Sequence, residues 1–390
     1  MAVQIIIGDA LEQLRLLPSE SVHCVVTSPP YYGLRDYNVA GQIGLEPSPG
    51  EYVARLVEVF SEVRRVLRAD GTVWLNLGDS YVSNGRYASD RSKYVGDLAK
   101  YAITNPRPAA RASGIKPKDL IGIPWMLAFA LRDDGWYLRQ DIIWAKPNPL
   151  PESVTDRCTK AHEYVFLLSK SARYYYDADA IAEPFTYSGD CRMQTAYAKA
   201  VGTSVGSVYR QPVNRPGRNK RSVWTVASEP YAEAHFATYP PALIEPCVLA
   251  GTSERGVCAA CGAPWVRQVK DSGVDRSRNL KIATEKSLAG VNEAHRLNGK
   301  DYVHARVATD LWQPSCACDA ATVPATVLDP FAGAGTTGLV ADRLGRNAVL
   351  IELNPAYAAL ARTRIESDAP LFAQVREPVR NAMPMQEMLL

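Results

Sequence analysis

The segment at residues 27–32, which reads Thr-Ser-Pro-Pro-Tyr-Tyr, limits the choice of fold more than any other stretch of this sequence. It follows an apolar run at residues 22–26, which is typical of a buried strand. The two prolines fix φ and remove two N–H donors, so the loop after the strand is stiff and rich in acceptors. Ligands of open α/β sheets bind at the carboxyl ends of strands. The segment therefore predicts an α/β fold with a binding site at this loop.

The same loop suits a flat ligand that carries an amine. The Ser28 hydroxyl and the Pro29 carbonyl can each accept a hydrogen bond from an exocyclic amine, while Tyr31 stacks on the ring beside it. A nucleobase flipped out of a duplex has both features. The alternative is a Pro-Pro turn that only ends a strand, and the tetrapeptide by itself does not exclude it.

Composition describes a globular chain without membrane spans. The 390 residues are 47% hydrophobic, which is ample for a core, and the net charge of +3 requires any contact with phosphates to come from local patches. No basic leader with an apolar stretch behind it opens the sequence, and we expect a cytoplasmic protein. Eight cysteines in such a chain indicate thiols or metal ligands rather than a disulfide framework.

Strand and helix patterns alternate along the chain, as in a parallel sheet with crossover helices. The predicted strands cover residues 4–7, 22–26, 72–77, 136–144, 163–168, 326–329 and 348–351, and the predicted helices 11–17, 50–67, 124–132, 338–344 and 356–365. Spacing leaves the direction of the strands at 136–144 and 163–168 open. Asp9, at the end of the first strand, fits a helix N-cap and a ligand role equally well.

Two segments are basic and irregular. Residues 86–120 hold eight Lys or Arg against three acidic residues, and residues 205–222 hold five against none. Most charge runs are solvated surface, but long basic loops beside a base-binding site can also contact DNA phosphates.

A glycine-rich turn at residues 329–337, Asp-Pro-Phe-Ala-Gly-Ala-Gly-Thr-Thr, joins a strand to a helix. Gly333 and Gly335 let the backbone approach a ligand closely, and the helix start favours a carboxylate. Asp329 would repel a pyrophosphate but can accept bonds from an ammonium group. Glu352, at the end of the next strand, can accept bonds from ribose hydroxyls. A dinucleotide site explains the glycines and Glu352 but not Asp329.

Two cysteine pairs flank a polar insertion. They are Cys258 with Cys261 and, after 54 residues, Cys316 with Cys318. Gly262 permits the left-handed turn that thiolate knuckles need, so the four cysteines predict a structural zinc site. Reduced free thiols are the alternative, and His295 or His304 can replace one ligand. Cys247, which follows a proline, is interpreted as a small buried side chain.

Together, Ser-Pro-Pro-Tyr and the turn at residues 329–337 resemble the amino-group DNA methyltransferases, and their order resembles the circularly permuted β class. The resemblance implies a mostly parallel, seven-stranded S-adenosylmethionine-dependent methyltransferase fold with an inserted target-recognition segment. The zinc-knuckle segment is predicted from the cysteine spacing and is not matched by the resemblance. It implies double-stranded DNA as substrate and allows a cognate restriction endonuclease as partner; the oligomeric state stays open. Because Ser28 opens the loop, the resemblance favours N4 of a flipped cytosine, with N6 of adenine as the alternative.

The resemblance also assigns residues and segments. The catalytic residues are Ser28, Pro29, Pro30 and Tyr31. The residues that bind S-adenosylmethionine are Asp9, Ala10, Phe236, Thr238, Asp329, Phe331, Gly333, Gly335, Thr336, Thr337, Glu352 and Asn354. The segments are a catalytic half (1–184, with a basic loop at 85–120), a target-recognition segment (185–222), a cofactor-packing segment (223–257), the cysteine insertion (258–320), the cofactor half (321–368) and a tail (369–390).

Other functions explain less of the sequence. An RNA or protein methyltransferase shares the glycine-rich turn but not the reason for the Ser-Pro-Pro-Tyr loop beside basic segments. A non-catalytic nucleic-acid-binding module explains the basic segments and leaves the cofactor residues without a role.

Overall fold

The computed structural model describes residues 2–34, 39–82, 114–184, 217–229, 238–272, 305–368 and 375–376. The helices are α1 (Ala10–Leu16), α2 (Pro49–Val66), α3 (Ile123–Asp133), α4 (Pro241–Gly251), α5 (Thr336–Arg343) and α6 (Pro355–Asp368). The strands are β1 (Val3–Ile7), β2 (Val22–Thr27), β3 (Leu67–Leu77), β4 (Tyr137–Ala145), β5 (His162–Ser169), β6 (Val223–Thr225), β7 (Val257–Cys258), β8 (Trp265–Ser272), β9 (Ala305–Pro314), β10 (Thr322–Val323), β11 (Thr326–Asp329), β12 (Asn347–Glu352) and β13 (Val375–Arg376).

A single large sheet organises these elements, in the order β13-β1-β12-β11-β2-β3-β5-β4-β6. Its seven central strands, from β1 to β4 in that order, confirm the predicted sheet, and the short strands β6 and β13 extend it at each edge. Only β5 runs antiparallel to its neighbours β3 and β4 among the described strands of this sheet. Within the tail, β13 pairs in parallel with β1.

The chain order explains the circular permutation. β1 pairs in parallel with β12, and β2 pairs in parallel with β11, so two strands from the end of the sequence lie between two from its beginning. Their carboxyl ends meet at one edge. The Ser-Pro-Pro-Tyr loop after β2, which is predicted to be catalytic, and the glycine-rich turn after β11 are thus neighbours.

Among the described residues, three helices lie on each face of the sheet. Leucines, valines and aromatic residues of α1, α2 and α3 form one core cluster, and apolar residues of α4, α5 and α6 form the other. α2 begins at the N-cap Ser48, whose hydroxyl accepts a bond from the Glu51 N–H, and it buries a stripe with helical spacing. None of the helices in the described part of the chain is long and apolar enough to span a membrane.

The cysteine insertion leaves the sheet as two small antiparallel pairs. β7 pairs with β10, and β8 pairs with β9. The first pairing brings the two ends of the insertion together and thereby joins the two cysteine pairs.

The core of the first face can be tested at α2. Leu56 is completely buried there, whereas Leu16 at the end of α1 is 76% exposed. We expect Leu56→Ala to lower the free energy of unfolding by about 2–5 kcal/mol, because it removes apolar contacts and leaves a cavity. Urea denaturation measures the change. The control Leu16→Ala should stay within about 0.5 kcal/mol of the wild type; equal effects of the two variants would contradict this packing.

Candidate active site

A cleft of about 360 Å³ opens at the carboxyl edge of the parallel strands. It brings together most of the residues that the sequence predicted for the site. Those lining it are Asp9, Ala10, Ser28, Pro29, Pro30, Tyr31, Thr238, Phe331, Gly333, Thr336, Glu352 and Asn354. Phe236 lies outside the described residues.

Aromatic contacts from neighbouring elements hold the catalytic loop. The Tyr52 hydroxyl, on α2, donates to the Pro30 carbonyl at 2.8 Å, and its ring packs against Tyr32 at 5.4 Å between centroids. Gly78 follows β3 and lies so close to Tyr31 that a Cβ there would come within 2.6 Å of its ring. The proline loop is therefore fixed from both sides, as its stiffness predicted.

One side of the cleft contains a polar network that sequence reasoning missed. Glu163, at the start of β5, accepts a bond of 2.6 Å from the Tyr31 hydroxyl and one of 3.2 Å from Asn76 Nδ2. The Lys146 ammonium forms an ion pair with the same carboxylate and lies 4.2 Å from the centre of the Trp144 ring. All of these residues line the cleft.

The network reaches the predicted catalytic serine. Ser28 Oγ donates to the Tyr31 hydroxyl at 3.5 Å. Burial and the nearby Glu163 carboxylate raise the pKa of Tyr31 well above its ordinary value, because both disfavour the phenolate. Tyr31 is therefore a neutral hydroxyl at physiological pH, able to donate and accept at once.

The opposite side of the cleft is built by β12 and the glycine-rich turn. Glu352 accepts bonds of 2.8 Å from the backbone N–H groups of Gly333 and Asn354, one at each carboxylate oxygen. Burial raises the pKa of Glu352, and the two N–H bonds oppose that shift. Gly333 has a φ of +51°, and a Cβ there would meet nothing within 4 Å. The turn thus leaves open space above the carboxylate.

Asp9 is the N-cap of α1 and also lies at the cleft. Its Oδ1 accepts from the Glu12 N–H at 3.0 Å as the N-cap of α1, and the residue also lines the cleft. An N-cap uses only part of the acceptor capacity of a carboxylate.

The Asp329 carboxylate lies beneath the cleft rather than in it, which differs from the predicted contact with an ammonium group. It is fully buried and accepts hydroxyl bonds from Thr27 at 2.6 Å, Thr337 at 2.7 Å and Tyr239 at 2.8 Å. The Phe331 N–H adds a fourth bond at 3.0 Å. Burial raises the pKa of Asp329, while these donors favour the charged form.

Two other predicted cofactor residues also lie outside the lining of the cleft. Thr337 is completely buried and belongs to the Asp329 cluster. Gly335 has a φ of +74° and precedes α5, and a Cβ there would come within 2.7 Å of Ala361 on α6. The two residues therefore shape the turn and the helix packing from below the cleft.

The basic segments fall mostly outside the described residues. At their described ends the charges are paired: Lys118 contacts Asp156 at 2.6 Å, and Arg218 and Arg221 both contact Glu183.

The four cysteines of the insertion converge at one point. The Sγ atoms of Cys258, Cys261, Cys316 and Cys318 all lie within 4.8 Å of one another. Gly262 adopts the predicted left-handed conformation, with a φ of +68°. Backbone N–H groups, chiefly that of Cys261, lower the pKa of Cys258 to about 7. Cys247, in contrast, is buried in α4 as a small side chain, and burial raises its pKa.

The sheet fixes the cysteine cluster in place. His23 Nδ1 accepts from the Thr326 N–H at 3.1 Å, so its Nε2 carries the proton and donates to the Gly262 carbonyl at 3.2 Å. Arg68 Nη1 donates to the Cys261 carbonyl at 2.8 Å. Burial lowers the pKa of His23 to about 4, which keeps the ring neutral in this position.

Comparison with known proteins identifies similar sequences and structures. The DNA methylase family of N6 and N4 enzymes matches residues 22–259 and 321–363. The type II methyltransferase M.SmaI of Serratia marcescens is 41% identical over 93% of this chain and 90% of its own length. M.Cfr9I of Citrobacter freundii is 40% identical over 93% and 87%. Among solved structures, the cytosine-N4-specific PvuII DNA methyltransferase is similar with a TM-score of 0.48 and 18% identity, covering 100% of this chain and 91% of its own.

The sheet, the Ser-Pro-Pro-Tyr loop and the glycine-rich turn together define a methyltransferase with an α/β fold. The family match covers well over half of the chain, and the sequence identity to the type II enzymes extends over nearly all of it. The chain belongs to the N6/N4 family of DNA methylases and is a type II DNA amino-methyltransferase.

The buried position of Asp329 makes a stability prediction. Asp329→Ala removes an acceptor shared by three hydroxyls and one N–H, and we expect it to lower the free energy of unfolding by about 3 kcal/mol or more. Urea denaturation measures the loss. The control Asp133→Ala, whose side chain is 70% exposed on α3, should change it by less than about 0.5 kcal/mol. Equal stability of Asp329→Ala and the wild type would show that the hydroxyls do not depend on this carboxylate.

Proposed function

We propose that the protein transfers the methyl group of S-adenosylmethionine to N4 of a cytosine flipped out of double-stranded DNA. The observation that carries this proposal is the position of the catalytic loop across one cleft from the turn held by Glu352. The methyl donor supplies an activated sulfonium methyl, so the protein needs to orient the amine more than to activate the donor.

The cofactor side of the cleft fits the donor. Glu352 retains acceptor capacity towards ribose hydroxyls after its two backbone bonds, and the open space at Gly333 allows the ligand to approach the backbone. Asp9 and Asn354 flank the same side. Asp329 shapes this side from below, and we assign it no direct contact with the ligand.

The catalytic loop orients the amine. An exocyclic amine is a poor nucleophile because its lone pair is delocalised into the ring. Hydrogen bonds from its protons to Ser28 Oγ and the Pro29 carbonyl favour a tetrahedral nitrogen whose lone pair points towards the methyl group. Tyr31 presents its ring beside this position, where it stacks on the flipped base.

The target atom is assigned from the loop alone. Ser28 favours cytosine N4, whereas adenine N6 remains the alternative because both bases present an amine beside a ring nitrogen. Incubation of the protein with tritiated S-adenosylmethionine and unmodified DNA, followed by mass spectrometry of the nucleosides, tests both the methyl transfer and the identity of the target atom. We expect N4-methylcytosine. Finding only N6-methyladenine would overturn the cytosine assignment. The absence of any methylated base would overturn the proposed function.

The role of Ser28 predicts a separation of binding from catalysis. Ser28→Ala should bind S-adenosylmethionine with wild-type affinity and lower kcat by about 100-fold, because the lost acceptor acts mainly as the amine becomes tetrahedral. Calorimetry and steady-state kinetics measure the two effects. The control Ser61→Ala changes a serine on the exposed side of α2 and should leave both values unchanged. An unchanged kcat in Ser28→Ala would contradict the assignment.

The cysteine cluster supports a structural zinc site. Four sulfurs within 4.8 Å of one another fit the tetrahedral arrangement that closed zinc sites adopt, and the bonds from His23 and Arg68 join this site to β2 and β3. We assign it no part in the reaction.

Elemental analysis of protein purified without added metal should find about one zinc per chain. Cys261→Ser should reduce this content, whereas Cys158→Ser, at an exposed cysteine away from the cluster, should not. A folded and active preparation without metal would show that the four cysteines are free thiols and not zinc ligands.

A further inference from the structure

We propose that the hydroxyls of Ser28 and Tyr31 conduct the proton released by the methylated amine to the carboxylate of Glu163. The inference rests on the proposed function, because it requires an amine bound at Ser28. Direct methyl transfer does not specify where the proton of the amine goes, and this inference names its acceptor.

The direction of the hydrogen bonds carries the argument. Ser28 Oγ donates to Tyr31 Oη, and Tyr31 Oη donates to Glu163 Oε2. The Ser28 oxygen therefore keeps its lone pairs for the amine, and the chain of O–H groups ends on an anion. The 2.6 Å bond between Tyr31 and Glu163 is short, and the 3.5 Å bond from Ser28 is of the kind that tightens when substrate binds.

The surroundings of Glu163 suit a proton acceptor. Lys146, which pairs with it, stabilises the carboxylate before the reaction, and Asn76 Nδ2 donates to the oxygen that faces Tyr31. Only 15% of the Glu163 side chain is exposed, so bulk water has limited access to it. Tyr31 resists ionisation, so it passes a proton on as it receives one rather than forming a stable phenolate.

The step balances in atoms and charge. The amine nitrogen attacks the methyl carbon, the carbon–sulfur bond breaks, and its electron pair stays on the sulfur of the thioether product. As the nitrogen becomes cationic, its proton moves to Ser28 Oγ, the serine proton to Tyr31 Oη and the tyrosine proton to Glu163 Oε2. The positive sulfonium and the negative carboxylate are both neutral at the end, and the methylated amine is neutral as well.

A purely structural role is the competing explanation, in which Glu163 only anchors the Tyr31 ring. Glu163→Gln separates the two, because the amide oxygen still accepts the Tyr31 bond but cannot take up a proton. Tyr31→Phe removes the middle hydroxyl and keeps the ring. The matched controls are Glu58→Gln on α2 and Tyr137→Phe on β4, both at exposed positions.

The experiment measures single-turnover methyl transfer from tritiated S-adenosylmethionine to unmodified DNA, with the binding of S-adenosylmethionine followed by calorimetry. We expect Glu163→Gln and Tyr31→Phe each to slow transfer by about 100-fold at unchanged S-adenosylmethionine affinity, and Glu163→Asp to recover part of the rate. The controls should match the wild type. A Glu163→Gln rate within about threefold of the wild type would overturn the proton path. Glu163 would then only hold the Tyr31 ring in place.

Three further outcomes are distinguished. If Glu163→Gln does not bind S-adenosylmethionine, the wild-type rate in D₂O decides: slowing by about twofold supports proton movement with transfer, and equal rates overturn it. A wild-type protein that methylates no DNA base defeats the proposed function itself. Methylation of adenine instead of cytosine corrects the target and leaves the same variants to test the path.

Discussion

The buried carboxylate of Asp329 is the contact on which the architecture of the cleft depends. Its hydroxyl donors come from Thr27 at the end of β2, from Thr337 on α5 and from Tyr239 before α4. Thr27 is the residue immediately before the catalytic serine. A carboxyl group buried this completely is tolerated only when its hydrogen-bond partners are in place, so the position of the Ser-Pro-Pro-Tyr loop and that of the glycine-rich turn are set by one another.

Much of the fold was predictable because the relevant signals are local. Apolar runs, helical spacing and the Gly-rich turn identified the parallel strands, and the paired loops identified the edge of the sheet where the cleft lies. Glu163 was not predictable in this way. It lies at the start of β5, and it reaches the cleft only because β5 runs against its neighbours. The strand's own sequence does not encode that direction.

The glycine-rich turn shows a second limit of sequence reasoning. Within residues 329–337, Phe331, Gly333 and Thr336 line the cleft, whereas Asp329, Gly335 and Thr337 lie beneath it. A compact sequence motif suggests that all of its residues contact the ligand. In a turn that leads into a helix, however, some side chains face the cleft and others pack in the core. Only the three-dimensional arrangement separates residues that contact a ligand from those that hold the turn.

The interleaving of β1 and β2 with β12 and β11 has a consequence for biosynthesis. Thr27 and Asp329 are 302 positions apart, so a ribosome needs roughly 15–60 s to deliver the second after the first. Throughout that interval β1, which pairs with β12 and β13, has neither of its partners. An emerging chain of this enzyme therefore keeps the apolar strand β1 without its partner strands until late in translation.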